Sequence, residues 1–418
     1  PGVAGDRPFP ERPVGAVNEQ LPFDHIVIVM MENHSFDNLI GDLALTRGDV
    51  DGLTFDQDGN ALNTNPWPET DSEIRAFPLL TTTQAKNVSQ SWKATHQQIK
   101  GGRMDGFVTS VKSTEPMGYY TPTLLPVAHS LANRFTLANR WFCSVPGPTY
   151  PNRRFLLAGT AFGATTSDPA TLLDPAPAHG TIFDSLSQHR VSWANYSTDI
   201  PMTLTIPSIF LKYFDHHYQR ERFFHDCNAG TLPAVSFVDP AMGVSSIANA
   251  IDGLPGFVKD LLQMLGPPPS TEEDPDDMYY GEVWVHEVIE AVLDSPAWPR
   301  TLLIYTYDEH GGYYDHVPPP PAVPPDNIPP TLPAGEHGAY DTYGCRVPAV
   351  VVSPYSRPGG VSSTVYDHTS ILATIEHKWN LPALTARDAN AATVIDCLDL
   401  SHPALLKPGT LDAPAKAE

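Results

Sequence analysis

The sequence predicts an α/β fold: a largely parallel central sheet with helices on both faces. Three observations carry this. Residues 25–30 and 301–307 are short, unbroken, β-branched apolar runs, the pattern of strands buried on both sides. Further strands are expected at 190–196, 233–238 and 347–352. Helical spacing stands between them, with Val285, Ile289, Val292 and Leu293 in 281–294, and Ile371, Leu372, Ile375 and Trp379 in 370–380. Strands that alternate with helices favour parallel pairing.

Residues 1–20 are rich in Pro and Gly and read as an extended arm. Residues 21–405 read as one catalytic domain with long insertions, because chemically informative residues near 32 and 308 must come together; residues 406–418 form a tail. The segment Asp56-Gln-Asp-Gly-Asn60 lacks the spaced glutamate of a calcium loop and is expected to be a hairpin turn. With 418 residues and 41% hydrophobic content, a large core is affordable in chain length.

A net charge of −23 argues against nucleic acid, whose phosphates need clustered Lys and Arg, and against anionic membranes. It leaves zwitterionic lipids and small phosphate esters as substrates. No apolar run reaches the roughly 18 residues of a membrane span, so stable membrane insertion is not expected. Cys143, Cys227, Cys345 and Cys397 are widely spaced without CxxC, so a zinc cluster is not expected, and both disulfides and buried thiols stay open. The chain starts at Pro1 without a signal-peptide pattern; loss of a leader is the expectation, with a secreted or periplasmic location favoured. Asn33, Asn87 and Asn195 sit in N-x-Ser sequons, and the match at Asn33 reads as chance.

The first apolar run leads directly into Met31-Glu32-Asn33-His34. In open α/β sheets ligands lie beyond the carboxyl ends of strands, where a carboxylate beside a carboxamide offers oxygens to a hard cation. The second run leads into Asp308-Glu309-His310-Gly311-Gly312, again acidic at a strand end. Two such endings read as two halves of one metal site. Oxygen ligands favour one divalent ion, Ca²⁺ or Mg²⁺, with Zn²⁺ left open.

A hydroxyl beside that metal points to phosphoryl transfer. In Ser144-Val-Pro-Gly-Pro-Thr149-Tyr-Pro-Asn152-Arg153, the prolines and Gly147 fix a tight loop. A helix is expected to begin near Asn152, which leaves Thr149 near its N-terminus, where backbone N–H groups favour phosphate. Thr149 as a simple N-cap stays an open reading. Asn152 and Arg153 are candidate phosphate ligands.

Several blocks stand in order: Glu32-Asn-His-Ser-Phe-Asp-Asn38, Gly101-Gly-Arg-Met-Asp-Gly-Phe107, Thr149-Tyr-Pro-Asn-Arg153, Thr231-Leu-Pro-Ala-Val-Ser236, Tyr307-Asp-Glu-His-Gly-Gly-Tyr-Tyr-Asp-His-Val317, Arg346-Val-Pro with Ser353-Pro354, and Asp367-His-Thr-Ser370. In these the chain resembles the phosphoesterase family of bacterial and plant non-specific phospholipases C, which also holds an acid phosphatase branch. The resemblance implies an alkaline-phosphatase-like core and a hydrolase acting on phosphoric ester bonds. It implies a metal held by Glu32, Asn33, Asp308 and Glu309, with Thr149 as nucleophile and ligand. His96, His310 and His368 would line the phosphate pocket. One departure stands out: where the plant enzymes carry an acidic-His-Pro stretch, this chain has Glu273-Asp274-Pro275. Asp274 in place of the histidine bears on substrate range and predicts a preference for diesters.

The expected activity is therefore cleavage of phosphodiesters such as phosphatidylcholine through a phospho-threonine intermediate. The alternatives are a phosphatase or phosphodiesterase of small soluble esters and a phosphate-binding protein without turnover. The polyproline-like segment 317–333 is expected to be a stiff wall over the cleft or a surface insertion. Tyr313, Tyr314, Trp141 and Phe142 are candidates for the wall facing the acyl-bearing side, with core packing the stronger reading for Trp141. His129, His179, His189, His216, His217 and His225 match no motif and read as surface or satisfied core residues.

Overall fold

The computed structural model describes residues 2–84, 88–242 and 269–415, so the sequon at Asn87 lies outside the described residues. An eight-stranded sheet forms the centre. Its strands in chain order are β1 (His25–Met31), β2 (Thr136–Ala138), β3 (Trp193–Ser197), β4 (His217–Gln219), β5 (Val235–Asp239), β6 (Thr301–Tyr307), β7 (Ala349–Val352) and β8 (Val361–Ser362). Across the sheet they stand in the order β8-β2-β7-β6-β1-β5-β3-β4. Among the described residues, β7 alone runs against its neighbours; every other pairing in this sheet is parallel. The α/β class with a mostly parallel sheet is thus the observed one.

β1 and β6 are central because their sequences allow it. Every residue of β6 is buried, and so is every residue of β1 after His25. A strand covered on both faces must be apolar throughout. The two pair in parallel with Met31 opposite Tyr307, so the chain leaves both strands at the same level.

Seven helices matter here: α1 (Trp92–Ile99), α2 (Pro126–Arg134), α3 (Thr149–Ala158), α4 (Ile182–Gln188), α5 (Arg220–Ala229), α6 (Met278–Leu293) and α7 (Thr369–Trp379). Six of them pack in two groups, α2 and α5 on α6, and α4 and α7 on α3. Burial of the central strands on both sides requires cover on both faces.

Some boundaries move for local reasons. The strand expected from 190 begins at Trp193, because Arg190 turns left-handed (φ 60°) after α4. β7 begins at Ala349, after Pro348, which has no N–H for the ladder. α6 begins at Met278, where the Asp277 carboxylate accepts the Tyr279 N–H as an N-cap. α3 begins at Thr149, three residues before the expected start at Asn152. Pro151 is tolerated there because first-turn N–H groups have no intrahelical partner. The turn at 56–60 forms as expected, with Phe55 bridged to Ala61 and the Asp56 carboxylate accepting the amides of Asp58 and Asn60.

The N-terminal arm is docked on the end of α7. Asn380, left-handed at φ 45°, donates its amide to the carbonyls of Phe9, Arg12 and Pro13. All four cysteines are free and buried. Asn195 is buried and bonded to Asp239, so its sequon is closed to glycosylation.

Candidate active site

Glu32 follows β1 and Asp308 follows β6, and their register sets them side by side. Asp308 anchors the cluster. One of its oxygens accepts the amides of Asn33 at 3.3 Å and Glu309 at 2.7 Å, and the other accepts Arg153 Nε at 3.0 Å. Arg153 also donates to the carbonyls of Met30 and Met31 and stands 3.7 Å from Glu32. Read from sequence as a phosphate ligand, Arg153 is instead committed to the strand ends. The reason is local: carboxylates and strand-end carbonyls gather there, and a buried guanidinium needs them all.

The cluster has open valences. Glu32 Oε2, Asn33 Oδ1 and Nδ2, Glu309 Oε1 and His310 Nδ1 are all buried without a hydrogen-bond partner. Buried polar atoms are almost always paired, so such a concentration marks a place built for a ligand. Three of the five are oxygens on residues read from sequence as metal ligands. Burial pushes the carboxyls of Glu32 and Glu309 well above the usual range. Glu273 and Asp308 push Glu32 further while Arg153 opposes, and Asp308 pushes Glu309 further. Carboxylates that repel and lack partners suit a divalent cation.

Thr149 is the first residue of α3 and is nearly buried at 7% exposure. Arg153 lies four residues on, hence on the same helix face, and helical side chains lean toward the N-terminus. The guanidinium that grips Asp308 therefore aims the Thr149 end of α3 at the cluster. The Tyr150 hydroxyl is raised by burial and then by Glu32 and Glu273, which puts it in the same field. Asn152 departs from expectation. Its amide donates to the carbonyls of Gly147 at 2.8 Å and Pro148 at 3.1 Å, and its oxygen accepts the Val145 N–H. It braces the loop that presents Thr149, and its hydrogen bonds are spent there.

The three histidines read from sequence separate. His310 Nε2 meets the Gln98 carboxamide oxygen at 2.8 Å, and the Gln98 amide nitrogen donates to the Ser89 carbonyl. Nε2 is thus the protonated nitrogen and Nδ1 carries a lone pair; burial lowers the pKa to about 3, so the ring is neutral. His368 has both nitrogens engaged, Nε2 with the Asp308 carbonyl at 2.6 Å and Nδ1 with Trp141 Nε1 at 3.4 Å, and supports Asp308 from behind. His96 packs on Trp92 and bonds its carbonyl at 2.7 Å, beside Gly338 rather than in contact with the carboxylates.

Glu273 was not read from sequence as a site residue, yet its charge acts on Glu32, Glu309 and Tyr150. Asp274, the position singled out from sequence, acts on Tyr120 and Tyr313 instead. Glu273 leads into a turn at Asp274, and it is Glu273 whose charge reaches the cluster. Tyr313 is stacked on His34 and bonded to Gln84, Tyr314 packs on Phe107, and Trp141 and Phe142 are wholly buried. These four are core, not the substrate wall. A cavity of about 840 Å³ opens instead beside Pro148, between Trp92 and residues 165–168, with Leu332 and Pro333 on one side. The end of the proline-rich segment is therefore a wall of this cavity. Its middle is tied down through Thr160 to Asp326 at 2.7 Å and Thr331 N–H to the Gly163 carbonyl at 2.8 Å.

A second acidic grouping, Asp37, Asp315 and His316, has ligand atoms within 4.8 Å of one another. Arg346 fills it, donating to Asp315 at 3.1 Å and to Asp37 at 3.0 Å. The chain thus offers acidic groupings with the chemistry of a divalent cation, and the cluster with unpaired oxygens is the one at Glu32.

Non-specific phospholipase C6 of Arabidopsis thaliana is 33% identical over 431 residues, covering 96% of this chain and 78% of that protein. Phospholipase C B of Mycobacterium tuberculosis is 28% identical over 454 residues, covering 94% and 80%. A Vibrio parahaemolyticus protein described as in the alkaline phosphatase superfamily overlaps at a TM-score of 0.37 with 13% identity, covering 83% of this chain and 77% of that one. At that overlap the fold class rests on the strand order above. The sequence model of the Phosphoesterase family matches residues 23–382, the stretch that holds both strand ends, α3 and His368, and the chain belongs to that family.

Proposed function

We propose that the chain is a phospholipase C-type hydrolase of phosphodiesters such as phosphatidylcholine, with Thr149 as nucleophile. The observation that carries it is the convergence of unpaired oxygens from Glu32, Asn33 and Glu309 at two strand ends, beside the helix that presents Thr149. The names of the Arabidopsis and Mycobacterium relatives support the substrate class.

Glu32, Asn33, Asp308 and Glu309 would hold one divalent ion, calcium or magnesium before zinc. Such an ion supplies Lewis-acid polarisation of phosphoryl oxygens and lowers the pKa of a nearby hydroxyl. The residues do the rest. Thr149 Oγ1 attacks phosphorus at the N-terminus of α3, where the helix dipole favours the charge on the equatorial oxygens. His310 moves a proton at Nδ1, the nitrogen that Gln98 keeps free of hydrogen. Arg153 and His368 fix Asp308, and Asn152 fixes the loop. The phosphoryl group passes to Thr149, diacylglycerol leaves with the proton, and water then frees phosphocholine. Glu273, with Asp274 beside it, repels a doubly charged monoester more than a singly charged diester. The second reading is a phosphatase of small soluble esters, favoured by the polar lining of the cavity at Pro148, which includes Lys93, Asp168 and Glu336.

Thr149→Ala should fold as the parent and lose on the order of 10³-fold or more in kcat, with partial activity in Thr149→Ser. In ¹⁸O water, label should enter phosphocholine and not diacylglycerol. A parent-like rate in Thr149→Ala rejects the covalent mechanism. Choline and phosphatidic acid as products reject the phospholipase C assignment, and turnover of p-nitrophenyl phosphate alone favours the phosphatase.

A further inference from the structure

We infer that a second cavity adjoining the one at Pro148 is a subsite for an acyl chain of the substrate, with Phe162, Ala176 and Ile328 setting the preference for acylated phosphodiesters. The inference rests on the phospholipase reading above. This cavity has a volume of about 500 Å³, inside the roughly 300–1,000 Å³ range of small-molecule sites. Phe162, Ala164, Pro175, Pro177 and Ile328 give it apolar walls.

Position ties it to the chemistry. Thr165, Thr166 and Thr331 line both cavities, so the two share one partition. The partition is fixed, since the Thr165 hydroxyl donates to the Thr331 carbonyl at 2.7 Å. Pro148, which lines the first cavity, directly precedes Thr149. A phosphodiester at Thr149 has one polar and one apolar substituent. The cavity beside Pro148 carries Lys93, Asp168 and Glu336, whose hydration an alkyl chain would strip without return. The adjoining cavity has one ionisable lining residue, Asp174, which Arg154 already pairs at 3.2 Å; its other walls are threonines and apolar residues, and burial of methylenes against Phe162, Pro175 and Ile328 is favourable.

The walls are built at a cost. Phe162 is left-handed at φ 40°, an uncommon state for a bulky residue, and Gly163 follows at φ 99°. Strain of this kind persists where surrounding contacts over-determine it, and it gathers at ligand sites. The contacts are present. The Thr160 hydroxyl accepts the Phe162 N–H at 3.0 Å and donates to Asp326 at 2.7 Å, and the Arg154 guanidinium lies 4.4 Å over the Phe162 ring. Ile328 remains 48% exposed at the mouth, an apolar side chain with a face to offer.

The test compares kcat/KM for dihexanoylphosphatidylcholine, kept monomeric, with that for glycerophosphocholine, in the parent, Ala176→Trp and Ile328→Ser. Ala176 and Ile328 are both exposed, so both variants should fold. Ala176→Trp withdraws burial of roughly two methylenes, so activity on the dihexanoyl ester should fall on the order of tenfold while glycerophosphocholine is unchanged. Ile328→Ser should act in the same direction, through KM. Equal losses on both substrates, or none on the dihexanoyl ester, overturn the inference and leave the phospholipase reading intact. A parent that cleaves no acylated ester overturns both together.

Discussion

Two buried acidic clusters in this molecule differ in how their charges are met. Around Arg346, the carboxylates of Asp37 and Asp315 are held at 3.0 and 3.1 Å, and His316 bonds Asp37 at 2.7 Å and Asp51 at 3.2 Å. Burial disfavours the His316 cation, yet Asp37 and Asp51 overcome it and push its pKa up to about 10. At the strand ends, Arg153 meets Asp308 and only approaches Glu32, and Glu32 and Glu309 keep unpaired oxygens. Similar residue types thus serve two ends. Where internal cations close the charges, the cluster holds loops together; where they do not, its oxygens stay unpaired.

The comparison breaks most sharply on Glu309. Glu309→Gln should cost on the order of 10²–10³ in kcat, and yet raise the Tm of the ion-free protein. The sign follows from its raised pKa. A group that holds its proton more tightly when folded destabilises the fold as pH rises above its unfolded value, and an amide removes that penalty. The gain should be absent below about pH 4, where the free carboxyl is protonated too, and should grow as pH rises from there toward the raised folded pKa. Melting curves in chelator across that range, with turnover assays beside them, decide it; a lower Tm at pH 7 rejects the reading of an open cluster.

Arg346→Met should do the opposite. Removal of one partner from a buried ion cluster costs about 3–5 kcal/mol, because Asp315 loses its cation and Asp37 keeps only His316. Urea unfolding measures this. Added calcium or magnesium at 100 times its Kd should stabilise the parent by about 2.7 kcal/mol. That shift should vanish in Glu309→Gln and persist in Arg346→Met. If Arg346→Met abolished it instead, the ion would belong to the other cluster.

The smallest effect concerns His316. Its folded pKa lies above the unfolded one, so its contribution is full below about pH 6.5 and fades as pH rises through about 10. The stability gap between the parent and His316→Gln should therefore be widest near pH 6 and narrow in alkali. A gap independent of pH would remove the charge from the account.

What the sequence showed follows the same division. The meeting of Glu32 and Asn33 with Asp308 and Glu309 at two strand ends was legible because each pair follows an apolar run, so a local pattern carries their place. The tight loop before Thr149 was legible because prolines and a glycine announce it. The roles of Arg153 and Asn152 were not, since an isolated Arg or Asn does not reveal whether it will face a ligand or close a turn. Gln98 reaches His310 across 212 residues, and no periodicity encodes such a pairing. Strands β4 and β8 are three and two residues long, too short for any pattern to register.

Gly311 carries a consequence for how such a protein can diverge. At φ 68°, a methyl added there would lie 2.0 Å from the Asn33 carbonyl oxygen. The turn after β6 and the turn after β1 are interlocked at the level of the main chain, with no space for a side chain between them. The floor of the strand-end cluster therefore cannot be resized by substitution at Gly311 without moving Asn33 itself. A changed side chain meets solvent instead at exposed rim positions such as Ala176 and Ile328, far from this interlock in the chain.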